Sequence, residues 1–301
     1  MRAAAKRMWE ARREGFLRSA LAVRKTASEE WVRVVKKGAY FGYGEGHLND
    51  ALMFFWLAED SIAEAELDFA LQCLEAAEAT DDCGGHGKMG ESVSETVMID
   101  QPATVYSFGP VEDKRQAWHD EDLGRGFRAR ALFTCRWLKH GIREEALLRL
   151  AVDRTKAWFD FQLGLPKESP EAQRVWDTPR HNLPIFLQLC AEVGDFELLQ
   201  SYYRRVSHRK LVIPPTNLRF TRSVAEVLYL LALHRTGEVN LEELLPTAME
   251  KCYSFVCREV GREMGAYYLG EDALGLAYLR AQMLGLSTEP RELLRRIKED
   301  S

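Results

Sequence analysis

Apolar residues recur along this chain at steps of three and four, with a glycine breaking the rhythm at intervals. Residues 123–161, LGRGFRARALFTCRWLKHGIREEALLRLAVDRTKAWFDF, carry the pattern most clearly. Phe127, Ala131, Leu132, Cys135 and Leu138 fall on one side of a 3.6-residue period, which predicts an amphipathic helix. Arg125, Arg128, Arg136 and Lys139 occupy the remainder, and their stems are free to lie along apolar surface. Lys139 and His140 suit a helix C-terminus, and Gly141 suits the left-handed residue that closes one. Leu147, Leu150, Ala151, Arg154 and Trp158 then form the stripe of a second helix, with Glu144 and Glu145 in its first turn. The stretch therefore reads as a helical hairpin turning at Gly141.

The same unit returns downstream. Residues 181–206, HNLPIFLQLCAEVGDFELLQSYYRRV, turn at Gly194, residues 218–258 turn at Gly237, and residues 271–297 turn at Gly285. The turns lie 53, 43 and 48 residues apart, too long and too irregular for a tetratricopeptide array and nearer to HEAT-like units. The expected fold is all-α: an irregular array of stacked antiparallel hairpins, solenoid or toroid-like, making one domain over residues 1–301. A globular helical bundle is the alternative.

Upstream, residues 2–25 read as a packed helix with a basic outer face, and residues 28–37 as a short helix capped by Ser28. Residues 38–50, GAYFGYGEGHLND, read as a glycine-rich loop, with His47 a loop histidine or cap neighbour. LNDALMFFW, residues 48–56, reads as a buried helix. The next helix, to about residue 79, places Ile62, Ala65, Phe69 and Leu74 inward and leaves Glu64, Glu66, Asp68, Glu75 and Glu78 as an acidic face. Residues 80–118 lose helical periodicity. An aperiodic stretch of this length inside a helical domain is usually functional or mobile. Residues 96–99 and 104–108 have β character, so this insert is expected to hold a small β-hairpin. A short helix is expected at residues 170–176.

Composition narrows the chemistry. The chain has 301 residues, 46% hydrophobic, with a net charge of −5. A mildly acidic surface argues against nucleic acid as partner, since binding there needs cations to displace counterions. No apolar run reaches the length of a membrane span. The six cysteines, Cys73, Cys83, Cys135, Cys190, Cys252 and Cys257, lack the spacing of a disulfide framework and read as reduced thiols of a cytoplasmic protein. Asp81, Asp82, Cys83 and His86 supply one Cys/His pair where a structural zinc site takes four ligands, so no metal and no cofactor is assigned. His181, Asp177, His119 and Asp120 are the acid/base candidates of an enzyme built inside a helical toroid, but no recognised spacing joins them. Chemistry read from the residues alone names no reaction.

A resemblance supplies the functional expectation. GEDALGLAYLRAQMLG, residues 270–285, and GFRARALFTCRWLKHG, residues 126–141, resemble helical immunity proteins of bacterial polymorphic toxin systems. The resemblance implies a non-catalytic protein whose partner is a cognate toxin, neutralised by direct binding. A basic toxin would be steered by negative charge. The expected partner-binding residues are Glu64, Asp68, Glu75, Glu78, Asp81, Asp82, Asp120, Glu121 and Asp122, with Tyr106, Phe108 and Trp118 as aromatic anchors. Glu66 belongs with the same charges. The alternatives are the toroidal enzyme and a helical-repeat scaffold or adaptor.

Overall fold

The computed structural model describes residues 40–83, 114–164, 179–207, 218–260 and 270–300. Ten helices occur among them: α1 (Tyr40–Trp56), α2 (Asp60–Ala79), α3 (Lys114–His140), α4 (Glu145–Gly164), α5 (Pro179–Glu192), α6 (Phe196–Ser207), α7 (Leu218–Arg235), α8 (Leu244–Val260), α9 (Gly270–Leu284) and α10 (Pro290–Asp300). The fold is all-α, with no strand among the described residues. The helices expected at 2–25, 28–37 and 170–176 and the β segments at 96–99 and 104–108 lie outside those residues.

The four hairpin glycines do what the periodicity requires of them. Gly141, Gly194, Gly237 and Gly285 have φ of +69°, +79°, +77° and +64°, a region in which a Cβ is strained. Each helix ends there and its successor starts within a few residues, so neighbours pack as antiparallel pairs. α1 packs on α2, α3 on α4 and α5 on α6. α2 also meets α3, α4 meets α5, and α7 meets both α5 and α6. The array then folds back, because α9 packs on α1 and α5 while α10 packs on α1, α3 and α8. α9 is the hub. Residues 273–279 are buried without a break, as expected of a helix apolar all round. Trp158, Phe159, Phe186 and Tyr202, all buried, link α4, α5 and α6 through stacked and edge-on rings 4.8–5.9 Å apart. Burial of each such ring contributes about 1.5–3 kcal/mol.

Four local expectations change. Residues 40–50 are helix, not loop. Gly44 explains why glycine serves there: a Cβ would lie 2.7 Å from Leu74 Cγ, so its absence lets α1 and α2 approach closely. On α2 the buried stripe is Ile62, Ala63, Glu66, Leu67, Ala70, Cys73, Leu74 and Ala77, which turns Glu66 inward and leaves Ala65 and Phe69 half-buried. On α4 the stripe is Leu147, Leu148, Ala151, Val152, Thr155, Trp158 and Phe159, with Leu150 and Arg154 exposed. Finally, α3 begins at Lys114, so residues 114–118 of the expected insert are helical. No helix among the described residues is long and apolar enough to cross a membrane.

Candidate functional site

The carboxylates expected to face a partner form a ridge along one side of α2. Glu64, Asp68, Glu75 and Glu78 follow one another at steps of four, seven and three, which a 3.6-residue helix keeps on one side, and Asp81 stands just past the helix end with a φ of +52°. The basic positions of α3 meet that ridge. Asp81 takes Arg125 at 2.6 Å and Arg128 at 3.0 Å. Glu75 takes Arg136 at 3.3 Å, and the same guanidinium reaches Glu144 at 3.0 Å. Lys139 binds Asp68 at 2.7 Å and Glu64 at 3.3 Å, and Glu64 also pairs with Arg291 of α10. A hydrogen bond from Arg125, outweighing burial, holds the Asp81 carboxyl below its usual range. A hydrogen bond to Asp68 raises Lys139.

In most of these pairs the acid is the outer member, Glu64 with the more exposed Arg291 being the exception. The Asp81 side chain is 55% exposed against 28% for Arg125 and 11% for Arg128. Glu75 stands at 50% against 25% for Arg136. The cations lie along the α2–α3 seam and hold the carboxylates in fixed positions facing outward. Glu78 is exposed on the same ridge.

The other expected partner residues are placed as follows. Asp82 accepts a hydrogen bond from the Phe41 N–H at 2.9 Å, tying the end of α2 to the start of α1. Glu121 lies 3.6 Å from Arg125, and Asp122 pairs with Arg154 at 3.1 Å. Trp118 and Asp120 belong to α3, but their side chains lie outside the described set, and Tyr106 and Phe108 lie outside it altogether. So do Asp177, His86 and the side chains of His119 and His181. Cys83 is buried, and burial raises its thiol.

Two inner clusters lie apart from the expected partner surface. In the first, His47 of α1 and Glu66 of α2, both more than nine-tenths buried, meet at 2.5 Å between Nδ1 and Oε2. The His47 ring lies edge-on to Phe69 at 4.4 Å. Asp50, one turn along α1, brings a third donor, and the three ligand atoms lie within 4.8 Å of one another. The signal was present in the spacing: Glu66 follows Ile62 by four residues and precedes Ala70 by four, so it belongs to the buried stripe, and only its charge argued for the surface.

The second cluster fills the centre between α3, α5 and α9. Arg130 bonds Asp272 at 2.5 Å and Glu271 at 3.1 Å. Burial works to lower Arg130, but the charges of Asp272 and Glu271 more than restore it. Burial pushes the Glu271 carboxyl up to about 8, against the pull of Arg130. The cavity there, lined by Arg130, Phe133, Trp137, Glu192 and Glu271, is about 10 Å³, space for roughly one water. An open groove of about 1130 Å³ runs between α7 and α8, lined by Val227, Leu230, Ala248, Phe255, Glu226 and Lys251 among others.

All six cysteines are buried and none is in a disulfide. Burial raises Cys135 and Cys190, and lifts Cys252 to about 12 and Cys257 to about 11. Thiols in that state are poor nucleophiles at neutral pH. Compared with protein-family models, curated proteins and solved structures, the chain matches none.

Proposed function

We propose that the chain is a non-catalytic protein-binding protein, an immunity protein that neutralises a cognate bacterial toxin by direct binding. The outward carboxylate ridge of α2 carries the reading. Asp81, Glu75 and Asp68 are each held by a less exposed cation, so these carboxylates enter an encounter already ordered and lose little side-chain freedom on binding. The carboxylates of Asp81 and Glu75 are the more exposed members of their pairs, which suits a basic partner and favours its approach at low salt. The net charge of −5 works in the same direction.

Co-expression tests the reading. The gene should lie beside a toxin gene, and the full chain should restore growth to cells making that toxin and form a complex with it. Failure to rescue growth from every neighbouring gene product removes the proposal. Within a rescued pair, Glu75→Lys with Glu78→Lys should slow association about tenfold at low salt, the difference shrinking as salt shortens the Debye length. An unchanged on-rate moves the interface off α2.

A further inference from the structure

We infer that His47, Asp50 and Glu66 form a binding site for one divalent first-row transition ion. Three features of the cluster point the same way. The donors are one imidazole and two carboxylates, a mixed nitrogen and oxygen set that suits Zn²⁺, Mn²⁺ or Fe²⁺ better than the all-oxygen preference of Ca²⁺ or Mg²⁺. With a neutral imidazole the set carries two negative charges, so a divalent ion makes the buried cluster neutral, and burying unneutralised carboxylates is costly. The backbone also fixes the geometry. His47 and Asp50 are three residues apart on one face of α1, and Glu66 comes across from α2, the helix that packs on it.

The distances fit after small shifts. Two donors each about 2.1 Å from a common ion lie roughly 3–3.5 Å apart. His47 Nδ1 and Glu66 Oε2, at 2.5 Å, need to part by under about an ångström, and the widest separation, within 4.8 Å, needs to close by up to about 1.5 Å. Side-chain torsions supply movements of that size. Access is available at one edge: Asp50 is only half-buried and Gly46, beside His47, is exposed. Three protein ligands leave a fourth position for water, the pattern of an open rather than a closed zinc site.

The experiment uses the tag-free full chain, treated with EDTA and then freed of it. Calorimetric titration with ZnCl₂ at neutral pH should show one saturable equivalent, and Co²⁺ should give a visible d–d absorption band on the same protein. Thermal unfolding should shift upward with added Zn²⁺, because only the folded chain presents the site. Asp50→Asn and Glu66→Gln, which keep side-chain size, should each weaken binding at least about tenfold. Lowering the pH through the range in which imidazole protonates should release the ion. The inference is overturned if no equivalent binds, in which case His47 and Glu66 are a hydrogen-bonded core pair. It is overturned equally if both variants bind Zn²⁺ as tightly as the parent, since the ion then sits elsewhere. Asp50→Asn at the rim leaves the core filled, so its result does not depend on a Glu66 variant folding.

Discussion

Arg143 should be one of the most costly charged residues to remove, although it stands in a short connection between helices. The side chain follows Gly141 and turns inward, 15% exposed, over three rings. Its Cζ lies 3.8 Å from the Tyr278 ring, 4.9 Å from Trp137 and 5.1 Å from Phe133. Nη2 reaches Glu192 at 3.5 Å, and the Glu192 side chain is 4% exposed. A desolvated cation over aromatic faces is worth about 2 kcal/mol. Leaving Glu192 without its cation adds about 1 kcal/mol, moderated because Gln188 still donates to it at 3.0 Å. Arg143→Ala should therefore cost about 3 kcal/mol, and Arg143→Lys, which keeps the charge but loses the planar stack, about half of that. An ordinary surface ion pair would cost no more than about 1 kcal/mol. Urea unfolding followed by circular dichroism measures the difference, provided the slope is unchanged between variants. A double-mutant cycle with Tyr278→Leu should return a coupling of about 1–2 kcal/mol. A cost below about 0.5 kcal/mol for Arg143→Ala, or a coupling near zero, refutes the reasoning and makes the contact a surface one.

Two further outcomes follow from local geometry. Burial works to raise the Asp160 carboxyl, but hydrogen bonds from Lys156 at 2.8 Å, from buried Tyr202 and from Arg205 at 2.9 Å outweigh it and hold the group down at about 2. A depressed carboxyl stabilises the folded chain above its unfolded pKa and loses that contribution as pH falls through the folded one. The stability gap between the parent and Asp160→Asn should be full above about pH 4 and close towards pH 2, and a gap independent of pH would contradict the assignment. Gly194→Ala should cost roughly 1–2 kcal/mol, because φ is +79° there and no described neighbour lies within 4 Å to compensate or clash; thermal unfolding with no loss would show that the turn relaxes.

Periodicity carried the helices and their turns because both are local. The 3.6-residue rhythm and four glycines are written in adjacent positions, and φ at those glycines agrees. What failed was rotation of a stripe about its axis. Phe69 outweighed Ala70 as a candidate for burial, and Leu150 outweighed Leu148, yet the smaller or better-placed residue faces the core. Hydrophobicity ranks residues one at a time, whereas the buried face is chosen by the helix as a whole and by what packs on it. Glycine is ambiguous for a related reason. In residues 38–50 the local pattern reads as turn formers, while Gly44 serves helix-to-helix contact, which no local rule distinguishes. The buried ion pairs were hidden because partners such as Arg130 and Glu271 lie far apart in sequence and meet only when α9 returns to the middle of the array.

α2 carries both proposals, and its geometry keeps them apart. Glu66 lies two residues from Glu64 and two from Asp68, about 200° around the helix from each at 100° per residue. The ridge therefore looks outward over α3's cations while Glu66 looks inward to His47. Glu66→Gln should weaken ion binding at least about tenfold and leave Glu75 and Glu78 where they stand, and charge reversal at those two should leave ion affinity unchanged. If Glu66→Gln instead slows partner association as strongly as the ridge variants do, the two faces are coupled through the α1–α2 pair, and the ion becomes a structural clamp that sets the ridge.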